Sequence, residues 1–445
     1  MSAGRRLLIR GGRVIDPASG RDAVADLLVV DDSVASVGPE ASGRSDGAAV
    51  IEAAGLWVLP GLIDLHTHLR EPGFEYKETV LTGSRAAAAG GFTAVSCMPN
   101  TDPPNDSAAV TRAILRKAEE AGLVRVYPIG CITEGQQGQR MAEFGDLVSA
   151  GCRAVSDDGR PVMNAGVMRR ALEYSRHFGI PVISHCEDLN LAGAGVAHEG
   201  AIATRLGLKP IPAAAEEAMV AREVVLARQT GARVHIAHVS TRGSVTMIAA
   251  AKAEGLPVTA EATPHHLTLT DEAILGFDTS TKVNPPLRSA DDREALRRAL
   301  AEGVVDAVAT DHAPHGLADK DLEFDAAANG LVGLETALPL VLRLVAEGAC
   351  SLHRAIEALT WGPARILDVP GGRLAPGDPA DITLVAPGEE WTVEPERFFS
   401  KGRNSPFRGW RLTGRVRATI VGGRTVYRDG AIVDEDPRRG FSTPP

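Results

Sequence analysis

Cysteine is scarce in this chain: five occur in 445 residues (Cys97, Cys131, Cys152, Cys186, Cys350), an odd number with no Cys-x-x-Cys pair. That usage points to a reducing compartment rather than a disulfide framework. Long apolar runs are also missing. No stretch approaches the roughly 18 apolar residues that span a bilayer, and the start, MSAGRRLLIRGG, has an arginine pair with no apolar segment after it. A cytoplasmic protein with no membrane partner is therefore expected. Positive charge is in deficit, with 47 Lys plus Arg against 57 Asp plus Glu and a net charge of −10. Bulk neutralisation of phosphates is then not the main task, nucleic acid is not an expected partner, and an anionic ligand must be held by local positive charge. What is present is ordinary for a folded chain: 44% hydrophobic and 23% charged residues. The length suits roughly three units of about 150 residues, or one large barrel with a small domain.

Both ends alternate apolar and polar residues in short runs broken by glycine. LLIRGGRVIDP, ADLLVVDDSVASVG and AVIEAAGLWVLP do so at the start, and ADITLVAP and RVRATIVGGRTVYRDGAIV near the end. These patterns predict short antiparallel strands. Neither end is long enough for a comfortable domain of its own, so the two are expected to combine into one composite β-sandwich domain. Between them, β-branched runs alternate with Ala-rich helical stretches. Eight strand candidates can be counted: GLIDLH, FTAVSCMP, VRVYPIG, CRAVSDD, IPVISH, ARVHIAH, LPVTAEATP and VDAVATD. The expected fold is α/β: a (β/α)8 TIM-type barrel over residues 56–364, with residues 1–55 and 365–445 forming the composite β-domain. The alternative, an open doubly wound sheet, is disfavoured because no GxGxxG follows the first strand and ionisable residues recur at strand C-termini.

Those ionisable residues carry the chemistry. His66 and His68 stand i and i+2 at the end of the first strand, so both imidazoles can face one point, with Thr67 pointing away. Such a pair alone is weak evidence for a metal. It gains from His185, His238 and Asp311, each at the last position of a different strand, because imidazole and carboxylate together suit zinc. Asp157-Asp158 closes the fourth strand before Gly159. One of them either bridges two metals or caps an Asp-Gly turn, and strand parity does not say which points inward.

The stretch HTHLREPGFEYKETVLTGSRAAAAGGFTAVSCMPNTDPP, with VSDDG, ISHCED, AHVS, ATPHHL, NPPLR and ATDHAPH further on, resembles the class I bacterial dihydroorotases of the amidohydrolase superfamily. The resemblance covers essentially the whole chain. It implies that His66 and His68 bind one zinc, that His185 and His238 bind a second, and that Asp158 bridges them. There is no lysine near the fourth strand to serve as the carboxylated bridge used by other types. Asp311 is implied as a ligand of the first metal and as the catalytic acid/base. Two zinc ions per subunit are expected, with a single-zinc form as the alternative. His68, Arg70, Asn100 and His315 match positions that contact the substrate, the last three holding its side carboxylate. Asn284 and the Asn329-Gly330 backbone are expected at the ring amides. A planar guanidinium supplies the local positive charge this acidic chain otherwise lacks. Asn329 departs from the Phe-Gly of many relatives.

The implied reaction is reversible ring closure of N-carbamoyl-L-aspartate to L-dihydroorotate in pyrimidine biosynthesis, by a homo-oligomer. Allantoinase and dihydropyrimidinase or hydantoinase are the rival activities, and a partner subunit of aspartate transcarbamoylase is the rival of another class. Of the remaining histidines, His235 is expected to pack outward against a helix, and His312 to bond locally. His265 and His266 lie near the site without an assigned role, and Cys186 is read as a buried thiol. The basic, aromatic stretch FFSKGRNSPFRGWRLTGRVR is read as surface or subunit contact.

Overall fold

Eight apolar runs, buried on both faces, form the parallel strands expected of them. They are β1 (Leu62–Thr67), β2 (Phe92–Cys97), β3 (Arg125–Gly130), β4 (Ala154–Ser156), β5 (Val182–Ser184), β6 (Val234–Ile236), β7 (Val258–Ala262) and β8 (Ala307–Val308). This computed structural model describes residues 5–433; residues 1–4 and 434–445, the outer ends of the expected composite domain, lie outside the described residues. The strands follow chain order around the sheet, each parallel to the next. Just beyond β8, His312 makes a parallel bridge to Thr67, and its carbonyl accepts the His68 N–H at 2.8 Å. That contact brings the two edges of the sheet together into a barrel, which an open doubly wound sheet cannot do.

Ile63, Leu65, Met98, Tyr127, Ile129 and Ile183 fill the barrel interior, and amphipathic helices cover its outside. In the helix Ala165–Phe178, buried Val167, Met168, Ala171, Leu172 and Ser175 recur at helical spacing, and Asn164 Oδ1 caps its start by accepting the Gly166 and Val167 N–H groups. Among the described residues no helix is long and apolar enough to cross a membrane.

The ends of the chain share one nine-stranded sheet. The strand Trp57–Pro60 joins its halves, running parallel to Arg6–Asp16 on one side and antiparallel to Ile382–Thr392 on the other. This corrects the expected boundary at residue 55: WVLP belongs to the terminal sheet, and the barrel begins only after Gly61. Ile9, Val14, Leu27, Val58, Ile382, Leu384 and Ile420 form the core of this domain. Sheet and barrel are joined by a buried ion pair in which Arg125 of β3 donates from Nε to Asp381 Oδ2 at 2.9 Å, while Asp381 Oδ1 accepts the Gly422 N–H at 2.7 Å.

Candidate active site and metal centre

The C-terminal ends of the barrel strands converge on a cavity of about 230 Å³ lined by His68, Arg70, Asn100, Asp158, Gly159, His185, His238, Asn284, Asp311, Ala313, His315, Asn329 and Gly330. Every expected substrate residue is on that lining. His66 lies beneath it, fully buried.

Two ligand-type sets meet at one carboxylate. His66, His68 and Asp158 form the first, and Asp158, His185 and His238 the second. Asp158 Oδ1 lies 3.4 Å from His66 Nε2 and 3.6 Å from both His185 Nδ1 and His238 Nε2, while Oδ2 lies 3.6 Å from His68 Nε2. Asp311 Oδ1 stands 3.0 Å from His68 Nε2 and 3.6 Å from His66 Nε2. Asp157 faces away. Its carboxylate accepts the Ile132 and Thr133 N–H groups at 2.8 and 3.1 Å and the Thr133 hydroxyl, anchoring the loop after β3. Tertiary contacts thus decide between adjacent aspartates where strand parity does not.

The hydrogen bonds around the histidines fix which ring nitrogens face inward. His66 Nδ1 donates to Glu261 Oε1 at 2.7 Å, which leaves the Nε2 lone pair for the site. Asn100 donates from Nδ2 to Asp158 Oδ2 at 3.4 Å, so its Oδ1 accepts from His68 Nδ1 at 2.9 Å. His68 Nε2 then also points a lone pair inward, at two carboxylates. Lone pairs therefore crowd together here, and buried His66 Nε2 and Asp158 Oδ1 have no hydrogen-bond partner. A cluster of acceptors such as His66, His68, Asp158 and Asp311 is completed by a cation, so this donor set fits a metal ion, and at the second set a metal would replace the 2.9 Å hydrogen bond between His185 Nδ1 and His238 Nε2. The same field appears in the protonation equilibria. Burial works against the charged forms. Even so, Asp158 and Glu261 raise the proton affinity of His66 well above its usual range, and His66, His185 and His238 hold Asp158 well below the ordinary carboxylate range. His185, despite burial, is raised to about 10 by Asp158 and Glu187.

The substrate side is built from other elements. Arg70 donates from Nε to Pro314 O at 3.3 Å and places Nη2 3.4 Å from His315 Nε2. His315 Nε2 donates to Asn329 O at 2.8 Å. Gly330, at φ +127°, has no room for a side chain, since a Cβ would meet Ala313 Cβ at 2.6 Å. Its N–H donates to Lys282 O and its carbonyl accepts from Asn404 Nδ2, so the Gly330 N–H is engaged within the protein. Asn284 donates to Glu187 Oε2 at 3.1 Å.

Several expectations are corrected by distant contacts. His235 does not pack outward: its Nδ1 bonds Thr259 Oγ1 at 2.9 Å and its Nε2 donates to Glu261 Oε2 at 3.1 Å. It therefore supports, through Glu261, the carboxylate that orients His66. Glu261 was missed by sequence reasoning, although an acid among the buried alanines of VTAEA is a usable signal. His312 does bond locally, its N–H donating to Thr310 Oγ1 at 3.0 Å, but its ring also reaches Glu78, far away in sequence, at 3.3 Å. The basic segment near the C-terminus is not simply surface. Ser400 and Lys401 bind the fully buried Glu78, and Asn404 bonds the His315 N–H and the Ala313 and Gly330 carbonyls at 3.0–3.2 Å. His266 bonds Thr263 Oγ1 and Pro285 O, whereas buried His265 Nε2 has no hydrogen-bond partner. All five cysteines are free and buried.

Residues 57–426 match the model of the amidohydrolase family. The chain belongs to the amidohydrolase family. Within it, the relatives it resembles are dihydroorotases. That of Anaeromyxobacter dehalogenans is 58% identical over 426 residues, covering 95% of this chain and 98% of the relative. That of Pelotomaculum thermopropionicum is 56% identical over 428 residues, covering 96% of this chain and 100% of the relative. Among solved structures, the L-hydantoinase (dihydropyrimidinase) of Arthrobacter aurescens is similar with a TM-score of 0.87 at 26% identity, covering 97% of this chain and 98% of that one. Dihydropyrimidinase from Brevibacillus agri shares the fold, with a TM-score of 0.84 at 24% identity over 96% of both chains.

Proposed function

We propose that this chain is a zinc-dependent cyclic amidohydrolase that interconverts N-carbamoyl-L-aspartate and L-dihydroorotate, a step of de novo pyrimidine synthesis. The observation that carries the reading is Arg70, which brings a guanidinium to the same small cavity as the two histidine sets, where a ring carboxylate needs a counter-charge. One zinc would be held by His66, His68 and Asp311, a second by His185 and His238, with Asp158 shared. Zinc there supplies Lewis acidity, polarising the ring carbonyl and lowering the pKa of a coordinated water from 15.7 to about 7.

The chain's own groups do the rest. Arg70, Asn100 and His315 hold the carboxylate and so orient the ring. Asp311 takes the proton of the attacking water on its carboxylate and delivers it to the ring nitrogen as the C–N bond breaks. Oxygen is gained at carbon and hydrogen at nitrogen, and ring closure retraces the path. Burial pushes the Asp311 carboxyl up, but His66 and His68 outweigh it and keep the group ionised.

The test offers zinc-loaded protein L-dihydroorotate, allantoin and dihydrouracil in parallel and follows ring opening. Dihydroorotate alone should be opened; comparable turnover of dihydrouracil, which lacks the carboxylate, would sink the reading. Repeating the assay with and without aspartate transcarbamoylase decides whether that partner is required, and gel filtration decides the oligomeric state.

A further inference from the structure

Behind Arg70, the segment FEYKET places Lys77 against the far side of His315. Lys77 Nζ lies 3.3 Å from His315 Nδ1, and the lysine side chain is only 15% exposed. The chemistry of the two contacts assigns the proton on the ring. The Asn329 carbonyl can only accept, so Nε2, 2.8 Å away, carries the hydrogen. An ammonium can only donate, so Nδ1 presents its lone pair to Lys77. A neutral imidazole satisfies both contacts with a single proton; Arg70 Nη2, a donor 3.4 Å from Nε2, makes the longer and weaker contact at that nitrogen and yields to the 2.8 Å bond to Asn329. The other candidate partner of Nδ1, Asp319 Oδ2, is 3.8 Å away, beyond hydrogen-bond range, and already accepts the Gly316 N–H at 2.9 Å. Asp319 instead anchors the lysine, its Oδ1 lying 3.6 Å from Nζ and accepting from the Tyr76 hydroxyl at 3.3 Å. The ring stays neutral, because burial together with Arg70 and Lys77 pushes His315 down to about 2.

We propose that Lys77 is a positioning residue for substrate binding: its ammonium locks His315 in the Nε2–H tautomer, so that the ring offers a donor beside the Arg70 guanidinium to a substrate carboxylate. The inference rests on the functional reading above in taking a carboxylate as the group bound there. Without the lock, a neutral histidine is free to move its proton to Nδ1 and turn a lone pair toward the anion, replacing a donor with a repulsive contact. The Asn329 carbonyl keeps the donor in place until the carboxylate, a stronger acceptor, takes it.

The experiment combines ring-nitrogen NMR of ¹⁵N-histidine-labelled, metal-loaded protein with steady-state kinetics, the His315 signals being assigned by their loss in His315→Gln. Wild type should show a pyridine-type Nδ1 and a pyrrole-type Nε2 at His315; the opposite pattern overturns the proposal without any Lys77 variant. In Lys77→Met, the His315 shifts should move toward the other tautomer. KM for N-carbamoyl-L-aspartate should rise about tenfold or more with kcat within about twofold. Lys77→Arg should restore both. A lysine needed only for its pair with Asp319 would lower the melting temperature and leave the ring shifts unchanged, and that result, with or without a raised KM, overturns the lock. If wild type fails to open L-dihydroorotate, the functional reading fails, and the ring-nitrogen measurement still decides on Lys77.

Discussion

Arg70, His238 and Asp311 all hold positive backbone φ, at +62°, +31° and +48°. Such conformations cost non-glycine residues on the order of 1–3 kcal/mol each, so the surrounding bonds must hold these residues in place. For Arg70 the reward is a fixed planar fork. Arg70→Lys should retain its metal but lose about ten- to a hundred-fold in kcat/KM on dihydroorotate, because a point charge replaces two aligned N–H groups; metal analysis beside kinetics checks this. The two carboxylates in the centre should respond differently. Asp158→Ala removes the anion common to both histidine sets and should release zinc, first from His185 and His238. Asp311→Asn should keep most of its zinc and lose about 10²–10⁴-fold in turnover, the usual worth of a general base. Near-normal turnover of Asp311→Asn would refute its role. Glu261, buried between His66 and His235, gives a third test. Glu261→Gln should weaken zinc affinity by about 10–100-fold, as loss of a ligand-orienting carboxylate does, measured by competition with a chelating dye.

At the scale of the elements, several strand ends contribute one or two groups each and none contributes a site. β1 delivers His66 and His68, and the residues just beyond β4, β5, β6 and β8 deliver Asp158, His185, His238 and Asp311. The bridge between Thr67 and His312 brings the first and last of these together. The strand pattern made these positions readable because side-chain parity and strand ends are local properties. The segment around Asn404 was not readable in the same way. Its basic and aromatic composition describes a surface, while its function lies in three hydrogen bonds to backbone atoms some 74–91 residues away. Asn404→Ala leaves the Ala313 and Gly330 carbonyls and the His315 N–H without those partners, and should raise KM about tenfold with zinc content unchanged. An unchanged KM would show that the wall holds its shape without this brace.

For the whole molecule, the terminal sheet is more than a cap. Its strand Ile382–Thr392 follows directly on Asp381, whose carboxylate pairs with Arg125 at the foot of the barrel. Burial opposes the charge on Arg125, yet Asp381 raises its proton affinity, so the guanidinium stays charged. Asp381→Ala removes the carboxylate that pairs with the buried Arg125 guanidinium and should cost about 3–5 kcal/mol of stability, read as a lower denaturant midpoint. Because the pair lies away from the cavity residues, kcat and KM of the folded fraction should not change.

The sequence by itself determined the eight strands, their parallel order, the composite terminal domain and the strand-end groups His66, His68, His185, His238 and Asp311, because periodicity and strand ends are local properties. Arg70, Asn100, Asn284, His315, Asn329 and Gly330 were expected from the resemblance to the dihydroorotases and not from periodicity. Strand parity left Asp157 and Asp158 open and the resemblance favoured Asp158, which the structure turns toward the histidines; the tertiary structure alone decided that His235 points inward to Glu261, that WVLP joins the terminal sheet, and that Lys77, Glu78 and Asn404 contact His315, His312 and the Gly330 carbonyl. Each of these depends on a partner distant in sequence, and a hydrogen bond reaches only about 3 Å. Periodicity reports which face a residue occupies, but not which remote donor or acceptor the closed barrel brings within that distance.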